Sequence, residues 1–175
     1  MNEDKNRLST LEVALRNELW ERDFYLINAE KTANPAGKAM FRQIADDELE
    51  HYERLKQLHE HWAGTKKWPE TVPLKVRNTT VRDILKDFVT KAENMPKGDA
   101  DDLKAIRTAL DFEAKGEKHY AELRDSVQDE KEKAFFDLLS RMEREHYLSL
   151  ADLEELMTDP VSWLRRKEHH GMDGA

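Results

Sequence analysis

The amino-acid sequence repeats itself at a spacing of 95 residues. Residues between positions 8 and 58 recur unchanged at many places between positions 103 and 153, and the polar ones include Glu18 with Glu113, Tyr25 with Tyr120, Glu48 with Glu143 and His51 with His146. Two unrelated segments would agree at roughly one position in ten to twenty. The chain is therefore built from two copies of one unit, and its fold must place two similar halves together.

Each copy has the pattern of a pair of helices. In the first copy, Ser9 and Glu12 form a capping box that predicts a helix to about residue 33, and Asn34-Pro35 predicts the start of a second helix that ends near residue 64. Apolar residues recur every three and four positions along both helices, which is typical of helices with one buried face. The second copy predicts helices over residues 100–127 and 130–157 in the same way.

A long connection joins the two pairs. It contains Pro69 and Pro73, and one amphipathic stretch in it predicts a short helix over residues 80–93. The sequence thus predicts a single all-α domain, an antiparallel four-helix bundle of two repeated helical hairpins. Within residues 1–175, its parts are a first hairpin at 8–64, a central crossover at 65–99, a second hairpin at 100–158 and a short C-terminal helix at 160–170.

Composition restricts the classes of function. The net charge of −8 argues against a nucleic-acid partner, because phosphate backbones are bound by clustered lysine and arginine. No apolar run approaches the roughly 20 residues of a membrane span, and the first residues lack the apolar core of a signal peptide. We therefore expect no membrane partner and a cytoplasmic location. Cysteine is absent, which excludes disulfides, thiolate catalysis and iron–sulfur clusters in this chain.

Glutamate and histidine interrupt the apolar face of every long helix. The positions are Glu18 in the first helix, Glu48 and His51 in the second, Glu113 in the third, and Glu143 and His146 in the fourth. Burying four unpaired carboxylates would cost more than the ~5–15 kcal/mol by which a domain is stable. Two divalent cations would balance the four charges. Neutralisation by buried arginine is the alternative, but Arg22 is the only cation on the apolar seam close in sequence to one of these glutamates. A two-metal site is therefore predicted in preference to a metal-free polar core.

The spacing of these residues supports the same prediction. Glu48 and His51, like Glu143 and His146, are three positions apart, so both members of each pair reach one volume beside one helix face. One glutamate from each of two helices, plus Glu-x-x-His from each of the other two, is the donor set of di-iron and di-manganese carboxylate bundles. A single Glu-x-x-His arises by chance in charged helices, but two at matching places in a repeat do not.

Several short motifs are similar to those of a known family. They are Ala14-x3-Glu18-x6-Tyr25, Ala45-x2-Glu48-x2-His51, Ala109-x3-Glu113-x6-Tyr120, Glu143-x2-His146 and, in the tail, Trp163-x4-Glu168 followed by Met172-Asp173-Gly174-Ala175. With these the chain resembles the rubrerythrin branch of the ferritin-like superfamily over nearly its whole length. The resemblance implies a ferritin-like bundle with two iron ions per chain, for which manganese or zinc could substitute. It also implies that Glu48 and Glu143 bridge the irons or hold one each, with His51 and His146 on separate irons.

The resemblance further implies a redox enzyme. The expected reaction is the reduction of a small oxidant, hydrogen peroxide or dioxygen, at the di-iron site. Rubrerythrins proper carry a cysteine-ligated rubredoxin-type iron centre as electron source, and this chain has no cysteine. Electrons are therefore expected from a separate donor protein. A homodimer is expected from the resemblance alone.

Three residues beside these ligands are also candidates. Rubrerythrins have an extra glutamate three residues after the third-helix ligand; that position is Gly116 here, and Glu117, one residue on, is the candidate replacement as a metal ligand. Tyr25 and Tyr120 follow Glu18 and Glu113 by two helical turns. Either these tyrosines orient a carboxylate or supply an electron at the site, or they are core tyrosines that need one hydrogen bond.

Two other functions fit the same residues. One is the oxidation of ferrous iron for detoxification or delivery, without storage in a cage. The other is a non-enzymatic, metal-stabilised bundle that works by binding a partner. Turnover of peroxide with an added electron donor, oxidation of many ferrous ions per site, and a redox-inert zinc pair are the observations that separate the three.

Overall fold

Two long helical hairpins make up most of the chain. The structure is a computed structural model that describes residues 2–65, 67 and 79–172. In chain order its elements are α1 (Asn2–Lys31), α2 (Pro35–Thr65), α3 (Val81–Ile84), which continues as the 3₁₀ segment Leu85–Asn94, α4 (Ala100–Ser126), α5 (Glu130–Thr158) and α6 (Pro160–Met172). Short turns close α1 with α2 and α4 with α5 into antiparallel hairpins. No strand occurs in these residues, which confirms the predicted all-α bundle.

The four long helices enclose a common interior. α1 contacts α4, and α2 contacts α5, in addition to the contacts within each hairpin. Two apolar clusters fill this interior, one containing Ile44 and the other containing Leu55. The turns of α2 that carry Glu48 and His51 lie between those two residues. The polar side chains therefore occupy the middle of the bundle, with apolar packing above and below.

The structure differs from the sequence prediction at the start of α1 and in the crossover. α1 begins at Asn2 rather than at Ser9, and acidic residues among the first positions favour a helix N-terminus there. The short helix expected at residues 80–93 is present, but most of it is the 3₁₀ segment. The remainder of the crossover, residues 66 and 68–78, lies outside the described residues. No helix in the described parts of the chain has the length and apolar character that crossing a membrane requires.

The turn between α1 and α2 is fixed by one asparagine. The Asn34 side chain is buried, and its Oδ1 accepts hydrogen bonds from the backbone N–H groups of Ala36 and Gly37, each at 3.0 Å. Its Nδ2 donates to the carbonyl of Pro96 at 2.8 Å. One side chain thus caps α2 and ties the first hairpin to the end of the crossover.

We expect Asn34→Ala to destabilise the fold. The substitution removes the cap of α2 and leaves the Pro96 carbonyl without its donor, and loss of such a cap costs about 0.5–2 kcal/mol. For a chain of this size we expect the melting temperature to fall by roughly 1–8 °C. Thermal unfolding of Asn34→Ala beside Asn94→Ala, whose side chain is exposed, measures the effect. Equal melting temperatures for the two variants would show that the cap contributes nothing.

Candidate metal centre

The structure brings together the six side chains that interrupt the apolar faces. Each is at most 4% exposed. Their donor atoms form two groups, within each of which all atoms lie within 4.8 Å of one another: Glu18, Glu48, His51 and Glu143 in one, and Glu48, Glu113, Glu143 and His146 in the other. Glu48 and Glu143 belong to both groups. The arrangement is therefore two adjacent donor sets that share two carboxylates.

Both histidines point the same ring nitrogen at the carboxylates. Nδ1 of His51 lies 3.0 Å from Glu48 and 3.3 Å from both Glu18 and Glu143. Nδ1 of His146 lies 3.3 Å from both Glu48 and Glu113. The two rings are nearly parallel, with centroids 6.0 Å apart. Each donor set therefore has one imidazole nitrogen, as the repeat predicts.

The two tyrosines that the repeat pairs, Tyr25 and Tyr120, each contact a glutamate of the other hairpin. The Tyr25 hydroxyl on α1 donates to Glu113 on α4, and the Tyr120 hydroxyl on α4 donates to Glu18 on α1. Both rings are buried, one in each apolar cluster. Each tyrosine thus fixes the carboxylate of the opposite helix and seals one end of the site, although a role in electron transfer stays a prediction.

Burial and repulsion between carboxylates dominate the electrostatics. Burial, together with the charge of Glu48, raises the pKa of Glu18 to about 7, and burial raises the pKa of Glu113 well above its usual value. Burial alone would lower the pKa of both histidines, but the charges of Glu48 on His51 and of Glu113 on His146 raise it instead. The site consequently holds protons that a metal cation would displace, because metal ligands bind in their deprotonated forms.

Unsatisfied oxygen atoms provide a test of whether metal ions fit here. Within the described part of the chain, Glu18 Oε2, Glu48 Oε1 and both side-chain oxygens of Glu143 are buried without a well-formed hydrogen bond. Three of them lie 3.3 Å from a histidine Nδ1 for which several carboxylates compete, and Glu143 Oε2 has no such neighbour. A buried acceptor left unpaired costs about 1–3 kcal/mol, and a charged one costs more. Arg22, the seam arginine considered as an alternative partner, has Nη1 3.8 Å from Oδ1 of Asp23. Four carboxylates and two imidazoles with free oxygens between them fit a pair of divalent metal ions.

A cleft of about 510 Å³ between α1 and α4 leads to the site. Its outer part is lined by Trp20, whose ring is 59% exposed, and by Phe112, with ring centroids 4.7 Å apart. Its inner part is lined by the carboxylates of Glu18 and Glu143. The donor sets are therefore reached from the surface on one side of the bundle.

Sequence reasoning missed Glu21, which also lines this cleft. Burial, followed by the charges of Glu48 and Glu143, raises the pKa of Glu21 to about 11. The repeat pairs Glu21 with Gly116, where an added Cβ would lie only 3.1 Å from Glu143 Oε2. A side chain at position 116 of α4 would therefore crowd the Glu143 carboxylate. The additional acid beside the donor sets is Glu21, on α1. Glu21 could have been identified by its position three residues after Glu18. The extra glutamate that the resemblance leads one to expect has the same spacing from the ligand of the third helix.

Two further residues have placements that the sequence did not indicate. Glu117, the candidate replacement ligand, is outside both donor sets, and its carboxylate lies 3.5 Å from Arg144. Asp47, which sequence reasoning passed over beside Glu48, has Oδ2 at 3.0 Å from Nε2 of His146. Asp47 is thus outside both donor sets but contacts the imidazole of one of them from behind, and no sequence signal beyond its place next to Glu48 indicated it.

The amino-acid sequence also matches a known protein family. The model of the rubrerythrin family matches residues 9–154, which include all six donor residues. The chain belongs to the rubrerythrin family. It is also similar to a hypothetical protein from Pyrococcus furiosus, with 25% identity, coverage of 86% of this chain and 89% of that one, and a TM-score of 0.63. A search of curated proteins gave no match.

Membership of the rubrerythrin family accounts for the donor sets. Proteins of this family are di-iron carboxylate proteins of the ferritin-like superfamily, and the buried glutamates and histidines of this chain suit such a centre. Glu48 and Glu143, which the two sets share, are the residues for which the resemblance implies either bridging of the irons or one iron each. The fold, the buried donor residues and the family match therefore point to the same kind of site.

We expect the stability of the metal-free protein to fall as the pH rises. Between pH 4.5, the ordinary pKa of glutamate, and about 7, the folded state retains a proton on Glu18 that the unfolded state has lost. Glu21 extends the same effect to higher pH. Each extra proton held by the folded state lowers the free energy of unfolding by about 1.4 kcal/mol per pH unit. Urea denaturation of chelator-treated protein between pH 5 and 8 measures this slope.

Glu21→Gln and the metal-loaded protein are the controls for that slope. Glu21→Gln removes one titrating carboxyl, so the slope should become shallower. Adding metal should reverse the trend, because affinity for the cation rises as the ligands lose protons. A metal-free protein that is equally stable at pH 5 and pH 8 would contradict the electrostatic description of the site.

Proposed function

We propose that this protein is a di-iron oxidoreductase that reduces hydrogen peroxide, or dioxygen, with electrons from a separate donor protein. The observation that carries the proposal is the pair of adjacent donor sets, each with one imidazole nitrogen and each sharing Glu48 and Glu143. Two ferrous ions bound by these residues would supply the two electrons that, with two protons, reduce one molecule of hydrogen peroxide to two of water. Membership of the rubrerythrin family supports the choice of iron.

The side chains divide the work of holding two metal ions. Glu18 and His51 would serve one ion, Glu113 and His146 the other, and Glu48 and Glu143 would be shared between them. This donor set carries four negative charges, so two divalent ions leave it neutral when the imidazoles are neutral. Neutrality inside an apolar interior keeps the cost of burial low.

The tyrosines and Glu21 hold protons beside the donor sets. The Tyr25 and Tyr120 hydroxyls each keep their proton in a hydrogen bond to a donor glutamate, and burial raises the pKa of both well above its usual value. Glu21 holds a proton at the inner part of the cleft. The two hydroxyls therefore orient Glu113 and Glu18, and their raised pKa means that each releases its proton less readily than a tyrosine in water.

The cleft between α1 and α4 provides the route for a small oxidant. It reaches Glu18 and Glu143 from a surface opening beside Trp20 and Phe112. The donor residues themselves are nearly inaccessible, so a large substrate could not contact the metals directly. Electrons from a donor protein would then have to cross the outer layer of the bundle, since this chain has no cysteine to hold a second iron centre of the rubredoxin type.

The proposal is tested by loading the metal-free protein with ferrous iron under anaerobic conditions. We expect about two irons per chain and the consumption of one peroxide for every two irons oxidised. A chemical reductant should then restore the ferrous state and permit further rounds. Iron content, peroxide consumed and the fraction of ferric iron are measured on the same samples.

Matched variants distinguish the effect of losing donor residues from the effect of losing an acid outside the donor sets. The double variant Glu48→Ala/Glu143→Ala removes the shared carboxylates and should abolish tight iron binding. Glu117→Gln removes an acid on the same helix as Glu113 but outside the donor sets, and should bind and react like the wild type. Oxidation of many irons per site with dioxygen and no donor would replace this proposal with iron handling. Redox-inert zinc as the purified content, with no reaction of the iron form, would leave a structural metal pair.

A further inference from the structure

The two donor sets are related by the repeat but are not equally supported. Both histidines direct Nδ1 into the site, so that their Nε2 atoms point outward into the surrounding protein. Nε2 of His146 lies 3.0 Å from Oδ2 of Asp47. Nε2 of His51 is buried and has no hydrogen-bond partner among the described residues. One imidazole is therefore anchored from behind by a carboxylate, and the other is not.

The repeat shows why the second anchor is missing. Asp47 precedes Glu48 on α2, and the residue 95 positions later, which precedes Glu143 on α5, is Met142. Met142 is 2% exposed and belongs to the apolar cluster around Leu55 and Phe136. A thioether is a weak acceptor at best. The position that would serve His51 therefore carries an apolar side chain.

Asp47 is itself held in place by groups that have no counterpart in the other half. The hydroxyl of Thr79 donates to Asp47 Oδ2, and Gln43 Nε2 donates to Asp47 Oδ1 at 3.0 Å. Thr79 Oγ1 in turn accepts the backbone N–H of Val81 at 3.1 Å. Thr79 belongs to the crossover, which occurs once in the chain, and the residue that the repeat pairs with Gln43 is Leu138. Of the crossover residues that the structure describes, Thr79 thus supports the His146 side of the site.

We propose that Asp47 makes the two metal positions inequivalent, so that the ion bound by His146 is taken up more tightly than the ion bound by His51. This inference rests on the proposed two-metal site. A carboxylate that accepts from the outer N–H of a ligand histidine fixes its tautomer and ring orientation and makes the inner nitrogen a better donor. Asp47 is a positioning residue, since it acts on the metal only through His146.

A titration of the metal-free protein with zinc tests this inference without using the redox reaction. Zinc is added in competition with a chelator of known affinity, and we expect two resolved binding steps in the wild type. Asp47→Ala should weaken the tighter step by about 10- to 100-fold and leave the weaker step unchanged. Asp47→Asn, which keeps an uncharged acceptor, should give an intermediate loss. Met142→Leu, at the paired position, should change neither step.

A spectroscopic readout separates positioning from general damage to the fold. In the zinc-loaded protein, the hydrogen-bonded Nε2 proton of His146 should give a slowly exchanging downfield NMR signal. That signal should disappear in Asp47→Ala and persist in Asp47→Asn. Thr79→Val, which leaves the helix that carries Glu48 untouched, should weaken the tighter step in the same direction but by less. The Thr79→Val variant therefore tests the inference even if Asp47→Ala folds poorly.

The possible results assign failure to separate causes. Two zinc ions bound with indistinguishable affinities, or an Asp47→Ala variant that weakens both steps alike or neither, would overturn the inequivalence and leave the two-metal site intact. Fewer than two zinc ions per wild-type chain would overturn the site, and with it both the proposed function and this inference. Selective weakening of the tighter step with loss of the Nε2 proton signal is the result that supports it.

Discussion

Repulsion between four carboxylates in the middle of the bundle is the constraint on which the rest of the structure depends. Glu18, Glu48, Glu113 and Glu143 come from four different helices, and none is more than 4% exposed. Bringing them together is favourable only if something of positive charge stands between them. Protonated histidines and carboxyl groups do this in part, and two divalent cations would do it fully. Cation binding would therefore be coupled to bundle assembly, because each side chain that could bind a metal ion also joins a helix to its neighbours.

The apolar clusters and the crossed tyrosines hold this polar centre in register. Apolar side chains on both sides of the donor residues bring the helices together independently of any metal. Tyr25 and Tyr120 then connect α1 with α4, the pair of long helices that the cleft separates. A bundle that leaves one side open for access needs such links across the opening. The reciprocal hydrogen bonds supply them from inside, where they also fix the orientation of Glu18 and Glu113.

The fold and the donor residues were predictable because both depend on local periodicity and on the duplication. A helix with one apolar face shows its phase in sequence, so Glu48 and His51 could be assigned to the interior before the structure was known. The polar residues of the site could then be identified because they are the same in both halves. Residues beside the site that differ between the halves were missed for the same reason. Glu21 pairs with Gly116 and Asp47 pairs with Met142, so neither passes a test that requires equality between the halves. The contact of Asp47 with His146 joins residues far apart in sequence, which no periodicity reports.

The residues that differ between the two halves of the repeat make the two sides of the site unequal. Duplication of a hairpin by itself would produce two equal donor sets and no preferred side for approach. A single chain, however, must connect its two copies, and the connection can pass only one side of the bundle. Here the crossover supplies Thr79 to Asp47 behind His146, while Gly116 lets α4 approach Glu143 across the cleft from Glu21. Departures from symmetry therefore arise at the points where the connection and the access route touch an otherwise duplicated centre. In a duplicated metalloprotein, positions that differ between the copies next to the ligands are consequently as informative about chemistry as the ligands that agree.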